Sequence, residues 1–188
     1  FGYEISELSN VYTGNDMRVA LVLQQIKKHV SDISNMKAIG FCVSIAHANF
    51  MAEKFCRAGI QSVAVTSAMT TAEREESLKD LKIGKIKAIF AVDIFNEGVD
   101  IPDVNTLLML RPTESATIFI QQLGRGLRKT AKKDCLIVLD FVGNQNANFR
   151  FDFKYGKLLG LSNVRLKDAL ESGYPTLPMG CHFELDTV

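Results

Sequence analysis

The sequence predicts an α/β fold with an open, mainly parallel sheet and helices on both of its faces. Five short apolar runs of strand length recur between residues 37 and 140, and segments of helical periodicity separate them. Runs that are apolar at successive positions are typical of strands covered on both faces. Strand–helix–strand repetition implies right-handed crossovers, which place successive strands parallel to one another.

The five apolar runs are separated by segments long enough for a helix or a long loop. They occupy residues 38–45, 62–66, 86–92, 104–110 and 135–140. After the first run, apolar residues from Ala48 to Phe55 follow the spacing of one helix face, and Gly59 stands where a helix C-terminal glycine belongs. We therefore expect a helix between the first two strands.

Two further helices are predicted on similar grounds. Thr70 and Glu73 have the spacing of a capping box, which predicts a charged helix that runs to about Leu81. Upstream of the first strand, apolar residues between Val19 and Val30 mark an amphipathic helix. We expect this entry helix to pack on the sheet.

Three parts are expected along the chain. They are an entry helix segment, the α/β domain and a C-terminal extension or linker, at residues 1–36, 37–145 and 146–188. The extension is assigned as a linker because Pro and Gly interrupt its last stretch.

Composition excludes several classes of protein. The chain has 188 residues, a formal net charge of +1 and 47% hydrophobic residues, whereas a disordered chain combines few apolar residues with a large net charge. No apolar run is long enough to span a bilayer, so no membrane partner is expected. The four cysteines include no CxxC pair and lie at no zinc-ligand spacing, so no metal site is expected. Reduced thiols and the lack of a leader sequence favour a cytoplasmic protein.

The loop after the third strand is the first candidate for chemistry. Ligands of an open parallel sheet lie beyond the carboxyl ends of its strands. Residues 93–102 follow such a strand, exceed the length that a plain strand-to-helix connection requires, and include Gly98 and Asp100. On composition alone, an ordinary surface loop in which Gly98 supplies an unusual backbone angle explains the segment equally well.

A polar stripe on the helix predicted after residue 115 is the second candidate. Gln121, Gly124, Arg125 and Arg128 fall at positions i, i+3, i+4 and i+7, on one helix face. Two arginines one turn apart present forked, permanently charged donors that suit phosphate oxygens. The alternative is a solvated basic face. Glycine in a helix, however, costs about 1 kcal/mol relative to alanine, and a merely solvated face does not explain why a glycine stands there.

These segments resemble the motifs of a known family. Residues 121–128, which read Gln-x-x-Gly-Arg-x-x-Arg, resemble motif VI of superfamily 2 helicases and translocases, and residues 96–102 resemble their motif V. Residues 41–53 resemble motif IV and the helix that follows it. The resemblance covers about residues 37–144 and is to the second, C-terminal RecA-like lobe. The residues of these motifs are most similar to those of bacterial restriction-type and DEAD/DEAH-like DNA helicases.

The resemblance implies an ATP site between this lobe and an N-terminal lobe of the same protein. The arginines that match Arg125 and Arg128 are catalytic in the family and reach the γ-phosphate, the second as an arginine finger. Gly98 matches a position where the backbone approaches the nucleotide, and Asp100 matches a carboxylate that contacts ribose or couples the two clefts. The residues that the resemblance places at ATP are Gly98, Asp100, Gln121, Gly124, Arg125 and Arg128.

The resemblance also implies a site for a single nucleic-acid strand, which is DNA or, alternatively, RNA. Ser44, Thr66, Ser67 and Asp93 match positions whose amides and hydroxyls hold strand phosphates, and such contacts carry no base specificity. Val92 departs from the pattern, because many relatives have threonine before the motif V aspartate. One hydroxyl contact to the strand is therefore expected to be missing.

Two parts of a complete motor are absent from the sequence. It contains neither the Gly-x-x-x-x-Gly-Lys-Ser/Thr phosphate loop nor an Asp-Glu pair placed to hold magnesium. We therefore expect the missing N-terminal lobe to bind most of ATP and Mg²⁺, and this chain alone to hydrolyse no ATP. Two alternatives stay open: the motor subunit of a restriction enzyme, which moves on duplex without separating its strands, and a non-catalytic interaction module.

Overall fold

The computed structural model of the chain describes residues 5–92, 104–112 and 135–141, and five strands within these ranges form one sheet. The strands are β1 (Ala38–Phe41), β2 (Ser62–Val65), β3 (Ala88–Ala91), β4 (Thr106–Met109) and β5 (Ile137–Asp140). Their order across the sheet is β2-β3-β1-β4-β5, and every neighbouring pair is parallel. The predicted parallel sheet is confirmed.

The strands are shorter than the apolar runs that predicted them. The first run extends to Ile45, yet β1 ends at Phe41 and Ile45 is the first residue of a helix. The chain changes from strand to helix at Ser44, because the Ser44 hydroxyl accepts the backbone N–H of His47 and so caps the helix. An apolar run alone does not distinguish a buried strand from the start of a buried helix.

Four α-helices and one 3₁₀ turn lie in the described residues. They are α1 (Ile5–Tyr12), α2 (Asp16–His29), the 3₁₀ turn (Ile33–Asn35), α3 (Ile45–Arg57) and α4 (Thr71–Ile83). The predicted entry helix is α2, which the Asn15 side chain caps by accepting the N–H of Arg18 at 3.0 Å. The sequence did not indicate α1.

The ends of α3 and α4 agree with the local sequence signals. Thr70 caps α4, and its own N–H donates to the Glu73 carboxylate, so the predicted capping box is present. Gly59 follows α3 with a φ of +83°, and Gly84 follows α4 with a φ of +79°. Glycine adopts this left-handed conformation without the steric cost that other residues incur.

Helices cover both faces of the sheet. α2 and α3 pack on one face, where Val22, Ile26, Met51 and Phe55 join alternate strand residues in one core cluster. The chain reverses its direction across the sheet between the β1–α3–β2 and β2–α4–β3 units, so right-handed crossovers place α4 on the other face. There Leu81 of α4 is fully buried.

The centre of the sheet is packed tightly around β1. The rings of Phe55 and Phe90 meet edge to face, with their centroids 4.8 Å apart. Phe90 also lies against Gly40 of β1, where an added Cβ atom would collide with the Phe90 ring. Gly40 is therefore required by the side chain of the neighbouring strand and not by an unusual backbone angle.

Two further points concern the extent of the chain. None of the helices in the described ranges combines the length and the apolar character that a membrane crossing requires. The predicted extension, residues 146–188, lies outside the described residues. The division of the chain at residues 36 and 145 stays a prediction.

Candidate nucleic-acid interface

The carboxyl ends of all five strands lie along one edge of the sheet, because the strands are parallel. This carboxyl edge is formed, among the described residues, by the positions that directly follow the strands: 42–44, 66–67, 92, 110–112 and 141. Ser44, Thr66 and Ser67 all lie on it. Asp93, the fourth residue predicted to hold a strand, lies outside the described residues.

Ser44 lies between the central strand and the first turn of α3. Its hydroxyl accepts the N–H of His47 at 3.1 Å, and its Oγ lies 2.7 Å from the Oγ of Ser9 in α1. Both serines are partly exposed. Contacts to two different helices therefore fix the Ser44 hydroxyl in place.

His47 is a buried structural residue beside this serine. Its side chain is 1% exposed, its Nδ1 accepts the N–H of Val43 at 3.4 Å, and its ring centroid lies 5.5 Å from that of Tyr12. Burial, with a smaller contribution from the charge of Arg18, lowers the pKa of His47 to about 4. The imidazole is therefore neutral at pH 7, and it packs α1 against α3.

The loop after β2 positions Thr66 and Ser67 through its backbone. The C=O of Thr66 accepts the N–H of Met69 at 3.2 Å, and Nη2 of Arg74 donates to the C=O groups of Ser67 and Met69 at 3.2 and 2.9 Å. Thr66 is partly exposed and Ser67 is exposed. Because α4 supplies Arg74, the conformation of this loop depends on the helix that follows it.

Arg18 of α2 joins the first two helices to the end of β5, a contact that the sequence did not indicate. Its guanidinium carbon lies 4.1 Å from the centroid of the Tyr12 ring, and its Nη2 donates to the C=O of Phe141 at 2.9 Å. Burial lowers the pKa of Arg18, against the opposing effects of Tyr12 and Asp140. Phe141 is 123 residues away in the chain, so no local spacing could have revealed this contact.

The opposite, amino edge of the sheet is held together by side chains that bind the backbone. Nζ of Lys37 donates to the C=O of Lys82 at 2.7 Å. Asn105 accepts the N–H of Lys37 and donates to the C=O of Asn35, both at 2.9 Å. A cavity of about 570 Å³ opens beside them, lined by residues 34–37, 82–84 and 87. Of the predicted site residues that the structure describes, none lies at this edge.

The residues predicted to bind ATP lie outside the described residues. They are Gly98, Asp100, Gln121, Gly124, Arg125 and Arg128. These six residues belong to two segments of the chain, one that begins after Val92 and one that begins after Pro112. Val92 and Pro112 each follow a strand and lie at the carboxyl edge. Both segments therefore start at the edge that also holds Ser44. Within the described ranges, no group of three or more His, Cys, Asp or Glu side chains could hold a metal ion.

Comparison with known families decides the family of the chain. Residues 20–130, which are more than half of the chain, match the helicase conserved C-terminal domain. The chain belongs to this family. The predicted family, the C-terminal domain of helicases, is confirmed. The assignment to superfamily 2, the roles of the individual motifs and the similarity to bacterial DNA helicases stay predictions.

Two relatives show how much of a longer protein this chain represents. It is 32% identical to the 51.5 kDa protein of a Lactococcus phage (isolate 7-9) over 123 residues, 65% of this chain and 27% of the phage protein. It is 29% identical to the putative ATP-dependent helicase IRC3 of Saccharomyces cerevisiae over 141 residues, 75% of this chain and 20% of the yeast protein. The chain thus spans about a quarter to a fifth of the length of these relatives.

Solved structures share the fold. The yeast DEAD-box splicing factor Prp28 has a TM-score of 0.64 at 18% identity, over 88% of this chain and 36% of that one. The E. coli DEAD-box protein SrmB has a TM-score of 0.55 at 22% identity, over 66% of this chain and 71% of that one. These likenesses confirm the predicted fold, the RecA-like C-terminal lobe of helicases.

Proposed function

We propose that this chain is the second RecA-like lobe of an ATP-dependent helicase or translocase, and that it acts together with an N-terminal lobe of a longer protein. The observation that carries the proposal is the family match over residues 20–130, which includes the three segments that resemble motifs IV, V and VI, at residues 41–53, 96–102 and 121–128. IRC3, a relative over 75% of this chain, is named as a putative ATP-dependent helicase. In this proposal residues 1–36 are the entry segment, 37–145 the lobe and 146–188 an extension.

On the nucleotide side, the residues of this lobe hold and neutralise the phosphates of ATP. ATP supplies the phosphoryl group to be transferred, and the N-terminal lobe holds most of it together with Mg²⁺. Arg125 and Arg128 direct guanidinium donors at the γ-phosphate, where they stabilise the negative charge of the transition state. Gln121 and Gly124 share a face with these arginines on the helix that the sequence predicts, and Gly98 and Asp100 are proposed to approach the nucleotide from the segment after β3.

On the strand side, neutral groups at the carboxyl edge hold phosphates. Ser44, Thr66 and Ser67 offer hydroxyls and amides on rigidly supported loops, and Asp93 adds its backbone at the end of β3. The sequence contains no tryptophan, and no aromatic residue stands directly at these positions, so base stacking contributes little. The strand is therefore bound without base preference.

DNA is the proposed nucleic acid. The residues of the motifs are most similar to those of DNA helicases. In addition, the DNA 3'-5' translocase XPB2 of Sulfurisphaera tokodaii is 37% identical over 78 residues, 42% of this chain and 17% of that protein. ATPase stimulation of the two-lobe protein by single-stranded DNA and by RNA of equal length tests this assignment. Stimulation by RNA alone would contradict it.

The nucleotide side is tested with Arg128→Ala in a protein that contains this lobe and the lobe with the phosphate loop. An arginine finger acts mainly in the transition state, so turnover should fall about 10³-fold or more while the affinity for ATP changes little. Lys132→Ala is the matched control, because it removes one positive charge four residues after Arg128, outside motif VI, and should keep near wild-type turnover. Near wild-type turnover of Arg128→Ala would contradict the assignment of the finger.

The chain by itself should hydrolyse no ATP above background. It lacks the phosphate loop and the magnesium carboxylates, which supply most of the positioning that phosphoryl transfer requires. Phosphate release measured on the purified chain, with and without single-stranded DNA, tests this expectation. Release stimulated by DNA would show that the second lobe contains a complete site.

A further inference from the structure

Ser9 of α1 lies beside Ser44, the residue proposed to contact a strand phosphate. The two hydroxyl oxygens are 2.7 Å apart, and either can be the donor of the hydrogen bond between them. Ser9 precedes residues 20–130 and therefore lies outside the family match. No motif of the sequence includes it.

The hydrogen bond between the two hydroxyls uses one of their two protons and leaves the other available to a ligand. One of their two protons lies between the oxygens, and Ser44 Oγ also accepts the N–H of His47. If Ser9 donates to Ser44, the Ser44 proton is left over; if Ser44 donates to Ser9, the Ser9 proton is left over. Among the described residues, neither hydroxyl has a further acceptor for that proton, so it can be donated to an oxygen from outside.

The surroundings of the two serines leave that proton accessible. Ser9 and Ser44 are both partly exposed with α1 in place, so α1 adjoins the site and does not cover it. Tyr12, which is 2% exposed and packs on His47, anchors α1 in this position. A donor held ready in this way loses little conformational entropy when it binds.

We propose that Ser9 and Ser44 form one phosphate contact, the hydroxyl pair, and that α1 is therefore part of the strand site. A phosphodiester oxygen, which only accepts hydrogen bonds, takes the remaining proton of the pair. This inference rests on the proposed function, because Ser44 marks the path of the strand only if the lobe binds one.

The test measures binding of this chain to fluorescently labelled oligo(dT) and oligo(rU) by anisotropy. Ser9→Ala and Ser44→Ala should each weaken binding about three- to tenfold, because the hydroxyl that remains keeps its proton but is no longer oriented by its partner. The double variant removes both protons, so it should bind more weakly than either single variant. Ser9→Thr keeps the hydroxyl and should retain wild-type affinity, and Ser31→Ala, an exposed serine after α2, is the matched control.

A salt series separates this role from general damage to the fold. The hydroxyl pair is uncharged, so Ser9→Ala should lower affinity at every salt concentration without changing the slope of log K against log salt. Equal effects on oligo(dT) and oligo(rU) support a contact to phosphate, and an effect on only one of them would overturn it.

The remaining outcomes distinguish the two proposals. If Ser44→Ala weakens binding while Ser9→Ala does not, the hydroxyl pair is wrong and the strand site stands. Tighter binding by Ser9→Ala would show that α1 obstructs the strand and would likewise overturn the pair. If the wild-type chain binds neither oligonucleotide, or if Ser44→Ala, Thr66→Val and Ser67→Ala all bind as the wild type does, the proposed strand site fails as well.

Discussion

The two edges of the sheet use their polar side chains in different ways. At the amino edge, Asn105 and Lys37 bind backbone groups of the chain itself. At the carboxyl edge, Arg74 holds the backbone of the loop after β2, while Thr66 and Ser67 keep part of their surface exposed. The comparison teaches that the polar side chains of the amino edge are occupied within the chain, whereas the carboxyl edge keeps exposed hydroxyls, as the proposed strand site requires.

The largest effect expected from this comparison is a loss of stability in Asn105→Ala. Asn105 Oδ1 accepts from the Lys37 N–H and the buried Thr106 hydroxyl, and its Nδ2 donates to the Asn35 C=O. Leaving these groups unpaired should lower the free energy of unfolding by about 2–3 kcal/mol. Urea denaturation measures this change, and affinity for oligo(dT) should stay at the wild-type value.

Asn105→Asp is the matched control for this prediction. It keeps an acceptor for the Lys37 N–H and loses only the donor to the Asn35 C=O, so the loss of stability should be smaller than in Asn105→Ala. A drop in oligo(dT) affinity in either variant, without a loss of stability, would break the separation of the two edges.

His47, which lies beside Ser44 of the carboxyl edge, should act on stability. Its folded-state pKa of about 4 lies below the ordinary value of 6.5, so the fold favours the neutral imidazole. The stabilisation is present above pH 6.5 and is lost as the pH falls toward 4. Between pH 7 and pH 5 it should decrease by about 2 kcal/mol, measured by urea denaturation at each pH.

His47→Gln sharpens this prediction. The variant is less stable at pH 7 because it loses the ring that packs against Tyr12, but it has no group that titrates at this position. The difference in stability between wild type and variant should therefore shrink between pH 7 and pH 5. An unchanged difference would show that His47 does not titrate with a lowered pKa.

The smallest effects are expected at Thr66 and Ser67. Thr66→Val keeps the shape of the side chain, and Ser67→Ala removes an exposed hydroxyl, so the free energy of unfolding should change by less than about 0.5 kcal/mol. Each substitution should weaken binding of oligo(dT) by about two- to fivefold, because one neutral contact to phosphate is lost. Loss of stability with unchanged binding would place these hydroxyls in a structural role.

Local signals in the sequence predicted local structure well. Gly59 and the Thr70–Glu73 capping box mark helix ends because their partners lie within one turn. The contact of Ser9 with Ser44 spans 35 residues and that of Arg18 with Phe141 spans 123, so periodicity and spacing could not reveal either.

The resemblance to family motifs predicted more about function than hydrophobic periodicity did. Four segments in a fixed order, motifs IV, V and VI and the segment from Arg74 to Asp93, predicted a helicase lobe, and the match over residues 20–130 confirms the helicase C-terminal domain. The resemblance singled out Ser44 and Ser67, and the structure has both on one edge of the sheet. The ATP assignments of Arg125 and Arg128 stay predictions, because these residues lie outside the described ranges.

The strand order has a consequence for the synthesis of the protein. β1 is the central strand, yet Ala38 pairs with Ala88 and Thr106, which follow it by 50 and 68 residues. At about 5–20 residues per second, the ribosome releases β1 several seconds before the second of these partners exists. Nascent chains that end before Thr106 therefore expose one side of an apolar strand. The sheet is completed only after β5 has been made, and until then an unpaired strand edge is open to pairing with other chains.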